Sequence, residues 1–200
     1  MKQCFAKPYI PKAEVKVNVF VDEEDCCNGN KDYTKCISTE DTNCKSMLNT
    51  IKSKYGDYDI ITANNVFAHV DNLIDFSKGV KNILNKDGIF VFEVSYLIEV
   101  LKRNTFDTIY HEHMSFHSYY PLESFFKKLD MRIYDYKLSK VQGGSIRFYV
   151  CHKNGKFKKN KKINVLKLME LKDFKINKSQ TYKKMQGVIY EKKIKIKKMI

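Results

Sequence analysis

Residues 58–94 read YDIITANNVFAHVDNLIDFSKGVKNILNKDGIFVFEV, and this stretch decides the fold. Tyr58 to Thr62 is a short apolar-rich run of strand length, and Asn72 to Leu84 carries apolar residues at helical spacing. Asn85-Lys86-Asp87-Gly88 is expected to end that helix and turn the chain. Ile89 to Val94 is almost continuously apolar, as suits a strand covered on both faces. Strand, helix and strand in that order form a parallel crossover unit.

Working outward from this unit, Val15 to Val21 alternates in the manner of a strand, and Asp22 to Asn43 is a polar stretch with neither period. A short helix is expected near Lys45 to Lys54. Downstream, Tyr96 to Arg103 reads as a helix, and Pro121 is expected to open another that runs through Leu129. Two further strands, Met131 to Leu138 and Ser145 to Cys151, are joined by Ser139 to Gly144, where Gly143-Gly144 suits a hairpin or bulged connection. The expected fold class is α/β, a partial doubly wound sheet that ends in an antiparallel strand pair and is followed by C-terminal helices.

At 200 residues and 23.6 kDa the chain has room for one domain with a substantial core. The net charge of +14 is confined to one end. Residues 153–200 hold 17 of the 37 basic residues and 3 of the 23 acidic ones, which leaves 20 of each in residues 1–152. A uniformly basic nucleic-acid-binding domain is thereby excluded, and any polyanion affinity falls to the tail. No apolar run approaches the roughly 18 residues of a membrane-spanning helix, and the opening segment has no apolar signal core. A soluble, cytoplasmic protein without membrane association is expected.

Cys4, Cys26, Cys27, Cys36, Cys44 and Cys151 are expected to be free thiols in a reducing compartment. Vicinal Cys26-Cys27 followed by single cysteines lacks the paired spacing that closes a tetrahedral zinc site, so zinc is not expected. In the tail, Val165, Leu168, Met169 and Leu171 recur at helical intervals and are expected to form one face of an amphipathic helix between Ile163 and Phe174.

Three of the five histidines lie within Tyr110-His111-Glu112-His113-Met114-Ser115-Phe116-His117, and His69 follows Ala63-Asn64-Asn65-Val66-Phe67-Ala68. Both segments follow strands of the crossover unit, at the rim where open α/β sheets bind ligands. Imidazole beside carboxylate suits general acid-base work, and a phenol can donate to a developing oxyanion. Tyr110, Glu112 and His113 could remove a proton next to a carbonyl while His69 orients the substrate. A structural loop with hydrogen-bonded histidines and metal ligation through His111 and His113 are the two alternatives. Asn64-Asn65 either begins a turn and caps the next helix or lines a cofactor cleft. Arg147 is either solvated or faces an anionic ligand.

The segments Ala63 to His69, Phe92-Glu93-Val94, Phe106 to Ser115 and Gly143 to Arg147, in that order and spacing, resemble the sugar C-methyltransferase family. The resemblance extends from about Tyr55 to Tyr190. It implies a class I, Rossmann-like methyltransferase that takes S-adenosylmethionine and methylates carbon alpha to a ketone in a nucleotide-linked deoxysugar. It also implies that Ala63, Asn64, Asn65 and Val66 lie against the methyl donor, and that His69, Tyr110, Glu112 and His113 are catalytic, with Glu112 or His113 as base. The family's cysteine-rich zinc module and glycine-rich donor loop have no counterpart here. Gln142 stands where family members carry histidine, and Asp22-Glu23-Glu24 is a weak match to the ribose-binding acid. The expected organisation is a divergent N-terminal segment (1–50), a methyltransferase-like core (51–152) and a basic helical tail (153–200) that leads to a missing C-terminal domain. The chain is thus expected to be a truncated member. Its alternatives are a non-catalytic remnant that keeps the fold or a partner surface, and a polyanion-binding module built on the tail.

Overall fold

Close packing of Ile61, Ala63, Phe90, Phe92 and Val94, all buried, sets residues 58–64 and 84–95 side by side at the centre of a sheet. The structure is a computed structural model, and it describes residues 3–5, 17–22, 52–53, 56–109 and 113–199. Six strands are ordered β1-β2-β3-β4-β6-β5: β1 (Gln3–Phe5), β2 (Val17–Asp22), β3 (Tyr58–Asn64), β4 (Leu84–Ser95), β5 (Met131–Ser139) and β6 (Ser145–His152). β2, β3 and β4 run parallel, β1 pairs antiparallel with β2, and β6 lies antiparallel between β4 and β5. The sheet is therefore the α/β arrangement with a closing antiparallel pair that the sequence predicts. Of the helix expected near Lys45 to Lys54, only Lys52 and Ser53 fall among the described residues, and both are helical.

The crossover from β3 to β4 is made by α1 (Leu73–Ile83). Asn72 caps it, its side-chain oxygen accepting the Asp75 N–H at 3.0 Å. The helix stops at Leu84, whose backbone is already extended, and not in the Asn85 to Gly88 turn. That turn belongs to β4. Leu84 pairs with Tyr58 and Ile89 with Ile60, so residues 85–88 bulge from the ladder. Gly88 is required there, because a Cβ would stand 2.9 Å from the Tyr58 carbonyl oxygen and 3.0 Å from that of Asp59.

Phe67, fully buried just past the end of β3, forms the centre of the core. Its ring packs against Phe92 at 4.3 Å, Phe76 at 5.9 Å, Phe126 at 6.1 Å and His117 at 5.2 Å between centroids. Helices α2 (Leu97–Arg103) and α3 (Tyr119–Lys128) follow β4. α3 starts two residues ahead of Pro121, contrary to expectation, and the reason lies 50 residues away. The carboxylate of Glu170, fully buried, accepts the N–H groups of Tyr119 and Tyr120 at 2.8 and 2.7 Å and the Tyr96 hydroxyl at 2.8 Å. An anion from the tail thus satisfies the open N-terminus of α3. Burial raises the pKa of Glu170, and the Tyr120 and Tyr119 amides and the Tyr96 hydroxyl oppose that rise.

The tail differs from expectation in which face it buries. α4 (Lys162–Leu168) runs into a wider π-helical turn (Met169–Asp173). Ile163, Leu166 and Glu170 point inward, whereas Val165 is 67% and Leu168 52% exposed. Of the expected face, Met169 packs partly buried against the core, whereas Val165 and Leu168 turn out because the residue that seats the tail is a glutamate. α5 (Ser179–Lys197) follows and has no buried residue. No helix among the described residues is long and apolar enough to cross a membrane.

Replacing Glu170 by alanine strands two amides and a phenol in the core. Urea unfolding is expected to show a loss of about 3 kcal/mol for Glu170→Ala and a smaller loss for Glu170→Gln, which keeps one acceptor oxygen. Equal stability of all three proteins would remove Glu170 as the anchor of the tail.

Candidate functional site

The C-terminal ends of the parallel strands carry the residues singled out in the sequence. β3 ends in Asn64, and Asn65 follows with φ of 56°, a left-handed conformation that asparagine tolerates. The Asn65 N–H still donates to the Glu93 carbonyl at 3.0 Å, so the turn is held to β4 while both asparagine side chains are exposed. Ala63 and Val66 are buried on either side of them. Those two can therefore meet a ligand only through backbone, whereas Asn64 and Asn65 can offer side chains. The helix cap is a different residue, Asn72.

From Phe67 the chain turns back, with the His69 N–H donating to the Val66 carbonyl at 2.9 Å. A second loop, which follows α2 and the short 3-10 turn Phe106–Thr108, is tied to it: the Ser115 N–H lies 3.3 Å from the Ala68 carbonyl oxygen. This brings the rings of His69 and His113 together, 4.9 Å apart and edge to face. Phe116 stands against the other side of His113 at 5.9 Å.

His113 makes a short contact with the chain just before its own loop. Its Nδ1 lies 2.7 Å from the Thr108 carbonyl oxygen, which can only accept, so Nδ1 bears the proton and Nε2 keeps a lone pair in the neutral ring. Such an imidazole is set up to take a proton at Nε2. Sequence reasoning paired His113 with Tyr110 and Glu112, but Tyr110, His111 and Glu112 lie outside the described residues. It did not find Thr108, whose contribution is a backbone carbonyl and leaves no trace in residue type.

His117 takes the structural role. It is buried, its Nε2 is 2.9 Å from Ser115 Oγ, and its ring lies tilted against Phe67. Burial lowers its pKa to about 4, against a hydrogen bond with the Phe67 backbone that favours the charged form. Arg147 is neither solvated alone nor free for a ligand. Its Nε and Nη2 reach Glu93 Oε2 at 2.9 and 2.7 Å, directly across the β4–β6 register. That pair with Glu93 raises the Arg147 pKa. The paired glycines shape the connection beside it: Gly144 has φ of 125°, and a Cβ there would come within 2.6 Å of Glu99 Cγ. Gln142 is likewise left-handed at 51°. Among the described residues no three His, Cys, Asp or Glu side chains are grouped so as to hold a metal ion, and Cys26 to Cys44 lie outside them.

A family model described as a methyltransferase domain matches residues 8–135. The chain belongs to that methyltransferase domain family. The domain is similar to the C-methyltransferase NovU of Streptomyces niveus, with 38% identity over 96 residues, 48% of this chain. That match spans 23% of the relative's own length, so the chain corresponds to under a quarter of that curated protein. Among solved structures it is similar to an S-adenosylmethionine-dependent methyltransferase of Anabaena variabilis (14% identity, 54% of each chain, TM-score 0.40). It is also similar to the magnesium protoporphyrin IX methyltransferase of Synechocystis, solved with S-adenosylhomocysteine (7% identity, 48% of this chain and 45% of that one, TM-score 0.38). Its own topology, parallel β2, β3 and β4 with the α1 crossover between the last two, gives the methyltransferase domain an α/β architecture.

A histidine that folds as a neutral ring with a depressed pKa stabilises the fold above its unfolded pKa of about 6.5 and loses that contribution as pH falls toward the folded value. For His117 the window runs from about 6.5 to about 4. Urea unfolding of the methyltransferase domain across that range is expected to show a decline that is shallower in His117→Gln. Parallel profiles would mean that His117 is charged or exposed in the fold.

Proposed function

We propose that this methyltransferase domain is the catalytic portion of an S-adenosylmethionine-dependent C-methyltransferase acting on carbon alpha to a ketone of a nucleotide-linked deoxysugar. The observation that carries the reading is the His69–His113 pair at the strand-end rim, with His113 fixed by Thr108 so that Nε2 is the basic nitrogen. The likeness to the C-methyltransferase NovU supports carbon as the methyl acceptor.

The fit to the methyl donor rests on the exposed side chains of Asn64 and Asn65 and on the backbone of Ala63 and Val66, at the end of a parallel strand where small ligands meet this class of sheet. S-adenosylmethionine, when bound, supplies an electrophilic methyl group. His113 Nε2 removes the proton alpha to the ketone, and the C–H electron pair moves into the enolate, with the Thr108 carbonyl stabilising the imidazolium through Nδ1–H. Glu112 is the other candidate for that base. His69 orients the ketone from the facing turn, and Tyr110 donates to the enolate oxygen. Phe116 and the buried Phe67 side of the turn keep water from the carbanion, which would otherwise be reprotonated.

Turnover with a nucleotide-linked ketosugar and S-adenosylmethionine is expected to fall by roughly 10²- to 10⁴-fold in His113→Ala, the usual contribution of a general base. Exchange of the alpha proton with heavy water, followed by NMR without methyl donor, should fall in parallel. His69→Ala is expected to raise KM more than it lowers kcat. Full activity and full exchange in His113→Ala would transfer the base role to Glu112. Absence of both in the unsubstituted chain would favour a non-catalytic fold.

A further inference from the structure

A second concavity lies at the opposite end of the sheet, where β4 begins and β6 ends, with a volume of about 910 Å³. Lys52, Lys78, Lys81, Lys86 and Lys153 line it, with Asp130 as its one acidic lining residue. Two of these lysines have a structural explanation. Lys52 Nζ holds the Asn82 carbonyl at 2.6 Å and Asp57 at 2.9 Å, and Lys81 reaches Asp130 at 3.3 Å. Both serve the C-terminal end of α1, where the helix dipole favours cations. Lys78, Lys86 and Lys153 have no such partner among the described residues.

The walls that carry these free lysines are fixed. The Lys153 N–H donates to the Asp130 carbonyl at 2.8 Å, and its own carbonyl accepts Arg132 Nε at 3.0 Å. Arg132 also bonds the Gly155 and Phe157 carbonyls, so a single guanidinium pins the start of the linker. A Cβ on Gly155 would lie 3.5 Å from the Lys86 carbonyl oxygen, which shows how closely that turn meets the bulge in β4. His152 Nε2 donates to the Leu84 carbonyl at 3.0 Å across the floor. Ammonium groups from α1, the β4 bulge and the linker thus converge on one hollow whose backbone is tied down on each side.

We infer that this cleft binds a small ligand bearing several linked phosphates. Lysines supply point charges without the planar fork that reads one phosphate's geometry, and a concave arrangement of like charges concentrates the field on a multiply charged anion. Leu84 is the one purely apolar lining residue and there is no lining aromatic other than His152, so nothing is provided for a stacked base. Recognition therefore rests on the phosphates and is independent of the chemistry at the other rim.

The test is calorimetric titration of the full chain with sodium tripolyphosphate at low salt. Two triple variants remove equal charge: Lys78→Ala/Lys86→Ala/Lys153→Ala in the cleft, and Lys193→Ala/Lys195→Ala/Lys197→Ala on α5. The cleft variant is expected to bind roughly ten-fold or more weakly with a reduced salt dependence, and the α5 variant to match the unsubstituted chain. Thermal unfolding of both variants checks that the fold is retained, since all six lysines are exposed. Equal losses in the two variants, or no heat with the unsubstituted chain, would overturn the inference. Tighter binding of a short oligothymidylate than of tripolyphosphate would also overturn it, by assigning the face to nucleic acid.

Discussion

The packing of one ring, Phe67, governs how this domain displays its candidate site. It sits between Asn65 and His69 in the chain and among Phe76, Phe92, Phe126 and His117 in space. Burying it forces the residues on either side toward the rim: Asn64 and Asn65 at the strand end, His69 on the returning turn. The same ring touches the loop that carries His113, through the tilted ring of His117. Strand, turn and loop are thereby coupled by apolar contact, and the polar side chains are left at the rim.

Charge plays the complementary part at a distance from the rim. Glu170 binds the first amides of α3, and Glu93 binds Arg147 across the sheet. Glu123 on α3 receives bonds from Tyr119, Lys159 and Lys167. Burial opposes its ionisation, yet the bonds from Lys167, Tyr119 and Lys159 prevail and bring its pKa down to about 2. The basic residues that make the tail look like a polyanion ligand are thus in part spent on holding the tail against the core.

Much of the architecture was legible because the crossover unit has unambiguous periods. Asn72 to Leu84 and Ile89 to Val94 predict a helix and a buried strand, and α1 and β4 are found there within a few residues. The failures have physical causes. The bulge at residues 85–88 lies so close to β3 that a Cβ on Gly88 would meet two of its carbonyls, a tertiary fact that a local turn motif does not carry. The early start of α3 and the inward face of α4 both depend on Glu170, a charged residue that hydropathy assigns to solvent. At the rim, the proximity of His69 and His113 was readable from topology, because both segments follow parallel strands. The tautomer of His113 was not, since a main-chain oxygen sets it. Arg147 was left between two alternatives because its partner, Glu93, is 54 positions away.

The anchorage by Glu170 bears on how far along the chain the packed interior extends. Cutting the gene after the last strand, a natural choice from sheet topology alone, would discard the carboxylate that neutralises α3 and the Ile163, Leu166 and Ile176 side chains that seal the layer beneath it. Ile176 in turn donates its N–H to the Glu170 carbonyl, closing the turn. A piece that keeps this interior closed therefore reaches past Ile176, and the helix beyond it, with no buried residue, is the first segment whose exchange leaves the interior covered.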